Sequence, residues 1–341
     1  MATDLVRSVG GPYFDELAHG AIFDTAPAIT LTDGLAAVHQ SILGDRLRLA
    51  LDNHLATVVA GGPVAHPGLV ADLAIGQSTL ATHHVRANLF YRGLRFHRFP
   101  RLGDTLYTTT EVVGLKENSH RPGRRPTGLA ALRIRTTDQH GATVLDFHRC
   151  AMLPLRELDA PTAGSGSPQR TVHADDLSAI GAGEPVSRHV PAGLDLAAYR
   201  REVPGPHFDP ALTGTTFISS GDVVTGAPEL ARLTLNIAAT HHDARVGTAG
   251  RLVYGGHTIG LALAQATRAL PNLVTVLGWY SCDHTGPVHE GDTLTSCLHV
   301  ESAEPLDTGG GLVELRSCVY AHRGDAAPAS VLDWRFTALF A

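Results

Sequence analysis

The chain contains one run of side chains that is suited to proton transfer, namely His241, His242 and Asp243. An imidazole has an unperturbed pKa close to neutral, so a histidine can take up or release a proton near neutral pH. The turn Tyr254-Gly255-Gly256 follows and stands immediately before an apolar helix. Unpaired backbone N–H groups at a helix N-terminus attract negative charge, and glycine allows a ligand to approach them closely. These residues predict a site where a proton moves beside an oxyanion-binding helix end.

Each of these features also has a structural interpretation. A His-His-Asp run can be a polar cap or a metal site, although adjacent His241 and His242 point to different sides of an element. Glycines before a helix often serve only the turn. Asp283 and His284 are either a second acid/base pair or a strand opening with a turn.

The elements that position these residues are encoded twice. The run Gly11-Pro12-Tyr13-Phe14-Asp15 recurs 194 residues later as Gly205-Pro206-His207-Phe208-Asp209. Residues 103–106 recur 188 residues later from Gly291, and residues 144–147 recur 187 residues later from Val331. Three echoes in the same order at nearly constant spacing imply two copies of one module.

The length of 341 residues also favours two domains, because one hydrophobic core rarely grows to that size. We predict a first module over residues 1–156 and a second over residues 191–341. The segment 157–190 is rich in Pro, Gly, Ser and Ala and is predicted to be a linker, loose or draped over the surface.

Each copy contains one apolar segment that predicts a buried helix, at residues 67–75 and 256–267. Alternating and β-branched residues then predict antiparallel strands. These strands span residues 105–113, 128–136, 144–155, 293–300, 312–320 and 331–340. One apolar helix wrapped by an antiparallel sheet, present twice, indicates an α+β fold.

Composition excludes several classes of function. The net charge of −6 gives no broad electrostatic reason to expect a nucleic-acid partner, and no apolar run reaches the length of a membrane helix. The first 20 residues carry charges and do not resemble a secretion signal, so a cytoplasmic location is expected by default. The four cysteines lack CxxC spacing and are predicted to be reduced core residues.

Several segments of the chain resemble the MaoC-like (R)-specific enoyl-CoA hydratases. They are Leu235-Asn236-Ile237-Ala238-Ala239-Thr240-His241-His242-Asp243, Arg251-Leu252-Val253-Tyr254-Gly255-Gly256 and Val288-His289-Glu290-Gly291-Asp292. That family has the hotdog fold, a long helix wrapped by an antiparallel sheet, and includes double-hotdog members. The loop Ser119-His120-Arg121-Pro122 and the strands after it resemble the mesaconyl-CoA hydratase (β-methylmalyl-CoA dehydratase) branch. The resemblance implies a double hotdog over nearly the whole chain.

The family's hydratase motif carries an Asp and a His five residues apart, and His241 falls five residues after Asn236. An asparagine cannot accept a proton as a carboxylate does, but its amide can orient a water molecule. If a carboxylate is required, Asp243 and Asp283 are the nearby acids. In the first copy His54 has Leu49 five residues before it, so that copy is expected to be non-catalytic and to line the acyl pocket.

The resemblance implies hydration of an α,β-unsaturated acyl thioester carried by CoA or by protein-bound phosphopantetheine. The implied reaction residues are Asn236, His241 and Gly256, and the implied substrate-binding residues are Tyr254, Gly255, Arg121, Arg124 and Arg125. The three arginines belong either to a solvated loop or to a clamp for a carboxylate or the CoA phosphates. A thioester hydrolase and a non-catalytic acyl-thioester binding protein are the alternatives. No metal or redox cofactor is implied, and a homodimer is left open.

Overall fold

The structure is a computed structural model and describes residues 9–156, 172–183, 190, 192–246 and 250–341. Of the expected linker at 157–190, the structure describes only residues 172–183 and 190. Residues 172–183 lie against the first module, where Leu177 packs on Ala131 and Cys150. Within the described ranges, no helix combines the length and hydropathy that a membrane crossing requires.

Within residues 9–156, the first module contains four helices and six strands. Helices α1 to α4 span Asp33–Leu43, Arg48–Leu51, Asn53–Ala60 and Pro67–Gln77. Strands β1 to β6 span Ile22–Phe23, Ile29–Thr30, Ala87–Phe96, Thr105–Glu117, Thr127–Thr137 and Thr143–Pro154. Short 3-10 turns at Phe14–Glu16 and Ser78–Thr82 complete this module.

The second module has the same succession of two short strands, shorter helices, one long apolar helix and four long strands, but one further helix precedes its first strand. Helices α5 to α8 span Leu196–Glu202, Ala227–Leu233, Ala239–His242 and Gly255–Ala269. Strands β7 to β12 span Thr216–Ile218, Asp222–Val223, Leu273–His284, Thr293–Pro305, Gly311–His322 and Ala329–Phe340. A 3-10 turn at Pro210–Leu212 precedes β7.

The strands of both modules form one antiparallel sheet of 12 strands, in the order β1-β4-β5-β6-β3-β9-β12-β11-β10-β7. The short strands β2 and β8 pair with β4 and β10. The modules meet where β3 pairs with β9, from Phe90 opposite Asp283 to Arg95 opposite Gly278. The long helices α4 and α8 are the apolar helices that the sheet encloses, and they contact each other. The α+β double-hotdog fold expected from the sequence is confirmed.

The two strands at the joint, β3 and β9, were not indicated by the sequence pattern. In β9 nearly every side chain from Leu273 to Cys282 is buried, so apolar and polar residues do not alternate. A strand covered on both faces has a continuous apolar sequence that resembles the end of the preceding helix. The more regular alternation of the outer strands made them predictable.

The first echo in the sequence places an aromatic ring on a strand glycine in both modules. Phe14 packs against Gly128 in β5, and Phe208 packs against Gly311 in β11. A Cβ atom at either glycine would overlap the ring. The lack of a side chain at this strand position therefore makes room for the phenylalanine ring.

The third echo provides a matched pair of cross-strand ion pairs. Asp146 in β6 accepts a hydrogen bond of 2.8 Å from Arg133 Nη2, and Asp333 in β12 accepts one of 2.6 Å from Arg316 Nη2. The repeated residues therefore preserve the packing and pairing of the two sheets.

We expect Gly128→Ala and Gly311→Ala each to lower the free energy of unfolding by about 1–3 kcal/mol, because the added methyl group overpacks the ring. Urea denaturation followed by circular dichroism measures the change. Gly34→Ala is the control, since Gly34 lies in α1 with no atom closer than 3.7 Å to an added Cβ, and it should be neutral or slightly stabilising. Unchanged stability in both strand variants would contradict the packing argument.

Candidate active site

A cavity of about 310 Å³ lies where the two modules meet. The second module contributes the segment around Asn236 and His241, the start of α8 and the end of β9. The first module contributes Ile75 and Thr79 near the end of α4, part of β3 and Arg149 of β6. The size and mixed lining are those of a small-molecule pocket. Its described lining residues include no aspartate or glutamate.

The ring of His241 is held by one backbone hydrogen bond. Its Nδ1 lies 2.8 Å from the carbonyl oxygen of Leu252. Because a carbonyl can only accept, Nδ1 carries the proton and donates it. The other ring nitrogen, Nε2, therefore has the lone pair and can act as a proton acceptor in the cavity.

The pKa of His241 differs from the ordinary value assumed from sequence. Burial lowers the pKa to about 4, and the nearby His242 and Arg149 charges act in the same direction. The hydrogen bond to Leu252 offsets part of this shift. The imidazole is therefore neutral, and able to accept a proton, throughout the physiological pH range.

Asn236 lines the same cavity and is only 3% exposed. Its Oδ1 accepts a hydrogen bond of 3.0 Å from the backbone N–H of Ala238. His242 Nε2 donates to the backbone oxygen of Asn236 over 2.6 Å. With Oδ1 engaged, the Nδ2 amide is the part of the side chain suited to hold a water molecule or a substrate oxygen.

The first module fixes the loop that carries Asn236. Leu235 has a positive φ of 59°, which is unusual for a residue with a side chain and turns the chain sharply. The loop passes so close to α4 that a Cβ atom at Gly76 would overlap the Thr234 carbonyl. Thr79 Oγ1 accepts a hydrogen bond of 3.0 Å from the N–H of Ile237. The position of the loop that carries Asn236 thus depends on the other module.

The N-terminus of α8 reaches the cavity at Gly255. The preceding residue, Tyr254, makes no side-chain capping bond to the helix. The ring of His284 occupies the space that a side chain at Gly255 would need. Gly256 is placed differently: it is not part of the cavity lining and lies against Asp72 and the Tyr254 ring.

Tyr254 links the two modules beside His241. Its hydroxyl donates to Asp72 Oδ1 over 3.1 Å, and Asp72 Oδ2 lies 3.1 Å from His39 Nε2. Its ring centroid is 5.8 Å from that of His241. The hydroxyl is therefore engaged with the first module, and the ring forms a wall against the imidazole.

His284 ends β9 and is a second imidazole in the cavity. Burial, followed by the charges of Arg149 and His241, lowers its pKa to about 4, and its Nε2 has no hydrogen-bond partner among the described residues. The neighbouring Asp283 pairs instead with Arg92 over 2.6 Å.

Neither nearby carboxylate considered from the sequence lines the cavity. Asp283 is held by Arg92, and Asp243 is held by Arg245 over 2.8 Å. The hydrogen bonds from Arg245 lower the pKa of Asp243 to about 2. Both carboxylates therefore form ion pairs outside the cavity lining.

The three arginines singled out from the sequence lie elsewhere. Arg121 and Arg124 are exposed in the loop between β4 and β5. Arg125 donates to the backbone oxygen of Leu155 over 2.7 Å and stacks 5.1 Å above the Tyr13 ring centroid. None of the three is part of the cavity lining.

Two other arginines, Arg86 and Arg149, line the cavity instead. Sequence reasoning missed both. For Arg149 a signal was present in the third echo, because the residue 187 positions later is the apolar Phe336.

Comparisons with known proteins agree with this architecture. No family model matches the chain. It is 61% identical to a conserved hypothetical protein of Mycobacterium tuberculosis whose solved structure is described as having a double hotdog fold, with a TM-score of 0.90 and coverage of 98% of this chain and 100% of that one. A putative MaoC domain dehydratase from Chloroflexus aurantiacus gives 26% identity, a TM-score of 0.82 and coverage of 98% and 99%.

A curated relative extends the comparison to a named activity. The β-methylmalyl-CoA dehydratase of Chloroflexus aurantiacus is 28% identical over 96% of this chain and 97% of its own length. The chain belongs to the double-hotdog proteins and is similar to MaoC-like dehydratases. The resemblance seen in the sequence is thereby confirmed.

The two copies of this double-hotdog chain differ at the position of His241. In the first copy Leu49 is buried and His54 is exposed, and His54 lies outside the cavity that contains His241. Of these two corresponding regions, only the loop of the second copy that carries Asn236 and His241 lines the cavity.

This double-hotdog chain also buries a histidine that takes no part in the cavity lining. His257 in α8 is 0% exposed, and neither of its ring nitrogens has a hydrogen-bond partner within the described ranges. Burial, and to a smaller extent the nearby His39, lowers its pKa to about 4. The residue 188 positions earlier, in α4, is Leu69.

We expect His257→Leu to stabilise the protein, and increasingly so as the pH falls. The folded state keeps the histidine neutral, whereas the unfolded chain binds a proton below about pH 6.5 and gains free energy by doing so. The advantage of the variant over wild type should grow by about 2 kcal/mol between pH 7 and pH 5. Urea denaturation at both pH values measures it. An advantage that does not change with pH would show that His257 is protonated in the folded state.

Proposed function

We propose that this protein adds water reversibly to the double bond of an α,β-unsaturated acyl thioester, interconverting enoyl and 3-hydroxyacyl forms. The observation that carries the proposal is the neutral imidazole of His241, whose Nδ1–H is bonded to Leu252 and whose Nε2 lone pair is available beside the start of α8. The relative named as a β-methylmalyl-CoA dehydratase supports the same class of reaction.

In this proposal His241 is the general base. Its Nε2 takes a proton from a water molecule as the water oxygen attacks the β-carbon. The imidazolium then returns a proton to the α-carbon, so that one O–H bond and the π bond of the C=C double bond break while one C–O and one C–H bond form. Histidine ends each cycle in its starting state.

The start of α8 supplies the second requirement, which is stabilisation of the enolate oxygen that develops during the attack. Gly255 lines the cavity at the first turn of the helix, where backbone N–H groups lack helical partners. Donors fixed before the reaction stabilise developing charge without reorganisation. In this role Gly255 is the favoured glycine, and Gly256 supports the close packing of α8 on Asp72.

Asn236 takes the place of the acid in the family motif. Its Nδ2 group can donate a hydrogen bond to the attacking water or to the thioester, but it cannot carry the proton. We assign it an orienting role, with His241 as the group that moves the proton.

The proposed substrate is a CoA thioester with a short acyl group, such as mesaconyl-CoA and its hydrated form β-methylmalyl-CoA. The cavity of about 310 Å³ has room for a short acyl group and the thioester. Carriage by CoA, rather than by a protein-bound phosphopantetheine, rests on the name of the relative.

A non-catalytic acyl-thioester binding protein is the second candidate. The observation that favours it is the lack of any carboxylate among the described residues of the cavity lining. Mass spectrometry after incubation with crotonyl-CoA and mesaconyl-CoA separates the possibilities. A gain of one water with the thioester intact supports hydration, free CoA supports hydrolysis, and unchanged thioester that nevertheless binds supports the second candidate.

We expect His241→Ala to reduce kcat/KM for hydration by about 10²- to 10⁴-fold, the usual loss on removing a general base. Affinity for a saturated, unreactive acyl-CoA should change by less than about threefold, because the imidazole acts on the transition state. Absorbance of the conjugated thioester follows turnover, and calorimetry follows binding. His54→Ala, at the exposed counterpart in the first copy, is the control and should retain full activity. An equal loss of kcat/KM in His241→Ala and His54→Ala would contradict the role of His241 as the general base.

The pH profile gives an independent check. Since the pKa of His241 is lowered to about 4, the base stays unprotonated well below neutrality. We expect kcat/KM to be constant from pH 8 down to about pH 5 and to fall only as the pH approaches 4. A decline centred near pH 6.5, the value of an ordinary histidine, would contradict the burial of this group in the working enzyme.

A further inference from the structure

Arg149 is a buried cation that lacks an anionic partner. Its side chain lies on the core face of β6 and the residue is 2% exposed. Nη1 donates to Ser78 Oγ and Nη2 to Thr82 Oγ1, each over 2.8 Å. Nε has no partner, and among the described residues no carboxylate forms an ion pair with this guanidinium.

Two neutral hydroxyl groups do not compensate a buried guanidinium. Removing an ion from water is costly unless an opposite charge and further hydrogen bonds replace the water. Arginines elsewhere in the same sheet have such partners, as Arg133 does in Asp146 and Arg316 does in Asp333. Arg149 differs from these two arginines because neutral hydroxyl groups take the place of the carboxylate.

The second module shows that the fold does not need a cation at this place. Arg149 lies opposite Tyr91 in the pairing of β6 with β3, and Phe336 lies opposite Trp279 in the pairing of β12 with β9. Arg149 and Phe336 therefore occupy equivalent positions in the two copies.

The residues that hold the guanidinium are replaced in the same way. The positions 188 residues after Ser78 and Thr82 are Ala266 and Leu270, both buried. One copy thus has an apolar trio where the other has an arginine and two hydroxyl groups. Because the apolar trio suffices for packing, the polar trio calls for a functional explanation.

The place of Arg149 in the cavity indicates what it binds. Thr285 and Pro287 are exposed and mark the mouth, whereas Arg149 and the adjacent Tyr91 are fully buried and mark the closed end. A thioester that enters by the mouth and reacts at His241 would direct the tip of its acyl group to the closed end. An anion at that tip would meet the guanidinium.

We propose that Arg149 is a specificity-determining residue that binds a carboxylate at the far end of the acyl group. The inference rests on the proposed function and narrows its substrate class to short enoyl thioesters that carry a second carboxylate. A guanidinium binds a carboxylate through paired N–H donors, and Ser78 and Thr82 hold it in a fixed orientation for that purpose. This assigns to Arg149 the role that the sequence suggested for Arg121, Arg124 or Arg125.

Binding of saturated thioesters tests the proposal without requiring turnover. Succinyl-CoA carries the second carboxylate, and butyryl-CoA has the same chain length without it. By isothermal calorimetry, wild type should prefer succinyl-CoA, and Arg149→Leu should weaken its binding by about 100-fold while changing butyryl-CoA binding by less than about threefold. Arg135→Leu is the matched control, because Arg135 is exposed on neighbouring β5, and it should change neither affinity.

The CoA phosphates are a second possible source of the anion, and short thioesters without phosphate separate the two. Succinyl- and butyryl-N-acetylcysteamine should show the same preference and the same loss in Arg149→Leu. A preference that is seen only with the CoA thioesters, or equal losses for succinyl- and butyryl-CoA, would overturn the assignment. Unchanged binding of every ligand would do so too.

Two further measurements distinguish a loss of carboxylate binding from misfolding of the variant and from failure of the proposed reaction. Replacing a buried unpaired cation by an apolar side chain should leave the melting temperature unchanged or raised. If Arg149→Leu fails to fold, the triple variant Arg149→Phe, Ser78→Ala and Thr82→Leu reproduces the trio of the second module and replaces it in the assay. A wild type that prefers succinyl-CoA yet hydrates no enoyl thioester would disprove the proposed reaction and leave the role of Arg149 intact.

Discussion

The backbone hydrogen bonds between β3 and β9 join the two modules into one sheet, and the cavity is a consequence of that joint. The pairing brings β6, the other neighbour of β3, to the loop of the second module that carries His241. Gly76 at the end of α4 and Thr79 in the 3-10 turn after it then fix that loop, Gly76 by its close approach to Thr234 and Thr79 by its hydrogen bond to Ile237. Neither module contains the whole site, so the structure of the site depends on the register of one central strand pair.

Duplication explains how one chain can hold both a framework and a site. The echoes that reveal the repeat preserve framework contacts: a phenylalanine on a strand glycine, and an aspartate paired with an arginine. The differences between the copies fall where the cavity lies. The charged Arg149 of the first copy corresponds to the apolar Phe336 of the second copy. His54 of the first copy is exposed, whereas the corresponding His241 is buried in the cavity. Because the framework is held by the repeated residues, one copy is free to diverge at the cavity.

Sequence reasoning predicted what is recorded locally along the chain. The central helices and the outer strands follow from apolar periodicity, and the motif around Asn236, His241, Tyr254 and Gly255 contains residues that the structure brings to one cavity. It did not indicate β3 and β9, whose burial on both faces removes the alternation. It also did not indicate Arg149, whose relation to the cavity arises from strand register and from the meeting of two modules. The basic loop at Arg121 looked more suitable only because its charges are adjacent in sequence.

The electrostatics of the cavity favour an anionic ligand. The charged groups among its described lining residues, Arg86 and Arg149, are both cationic, and the two imidazoles are neutral because burial lowers their pKa values to about 4. The charge of Arg149 contributes to the lowered pKa of His241. A carboxylate bound to Arg149 would offset that charge and so make the imidazole a stronger base when the substrate is in place. In the proposed mechanism Arg149, which selects the substrate, would also adjust the basicity of His241, which takes the proton, although the two residues lie on different modules.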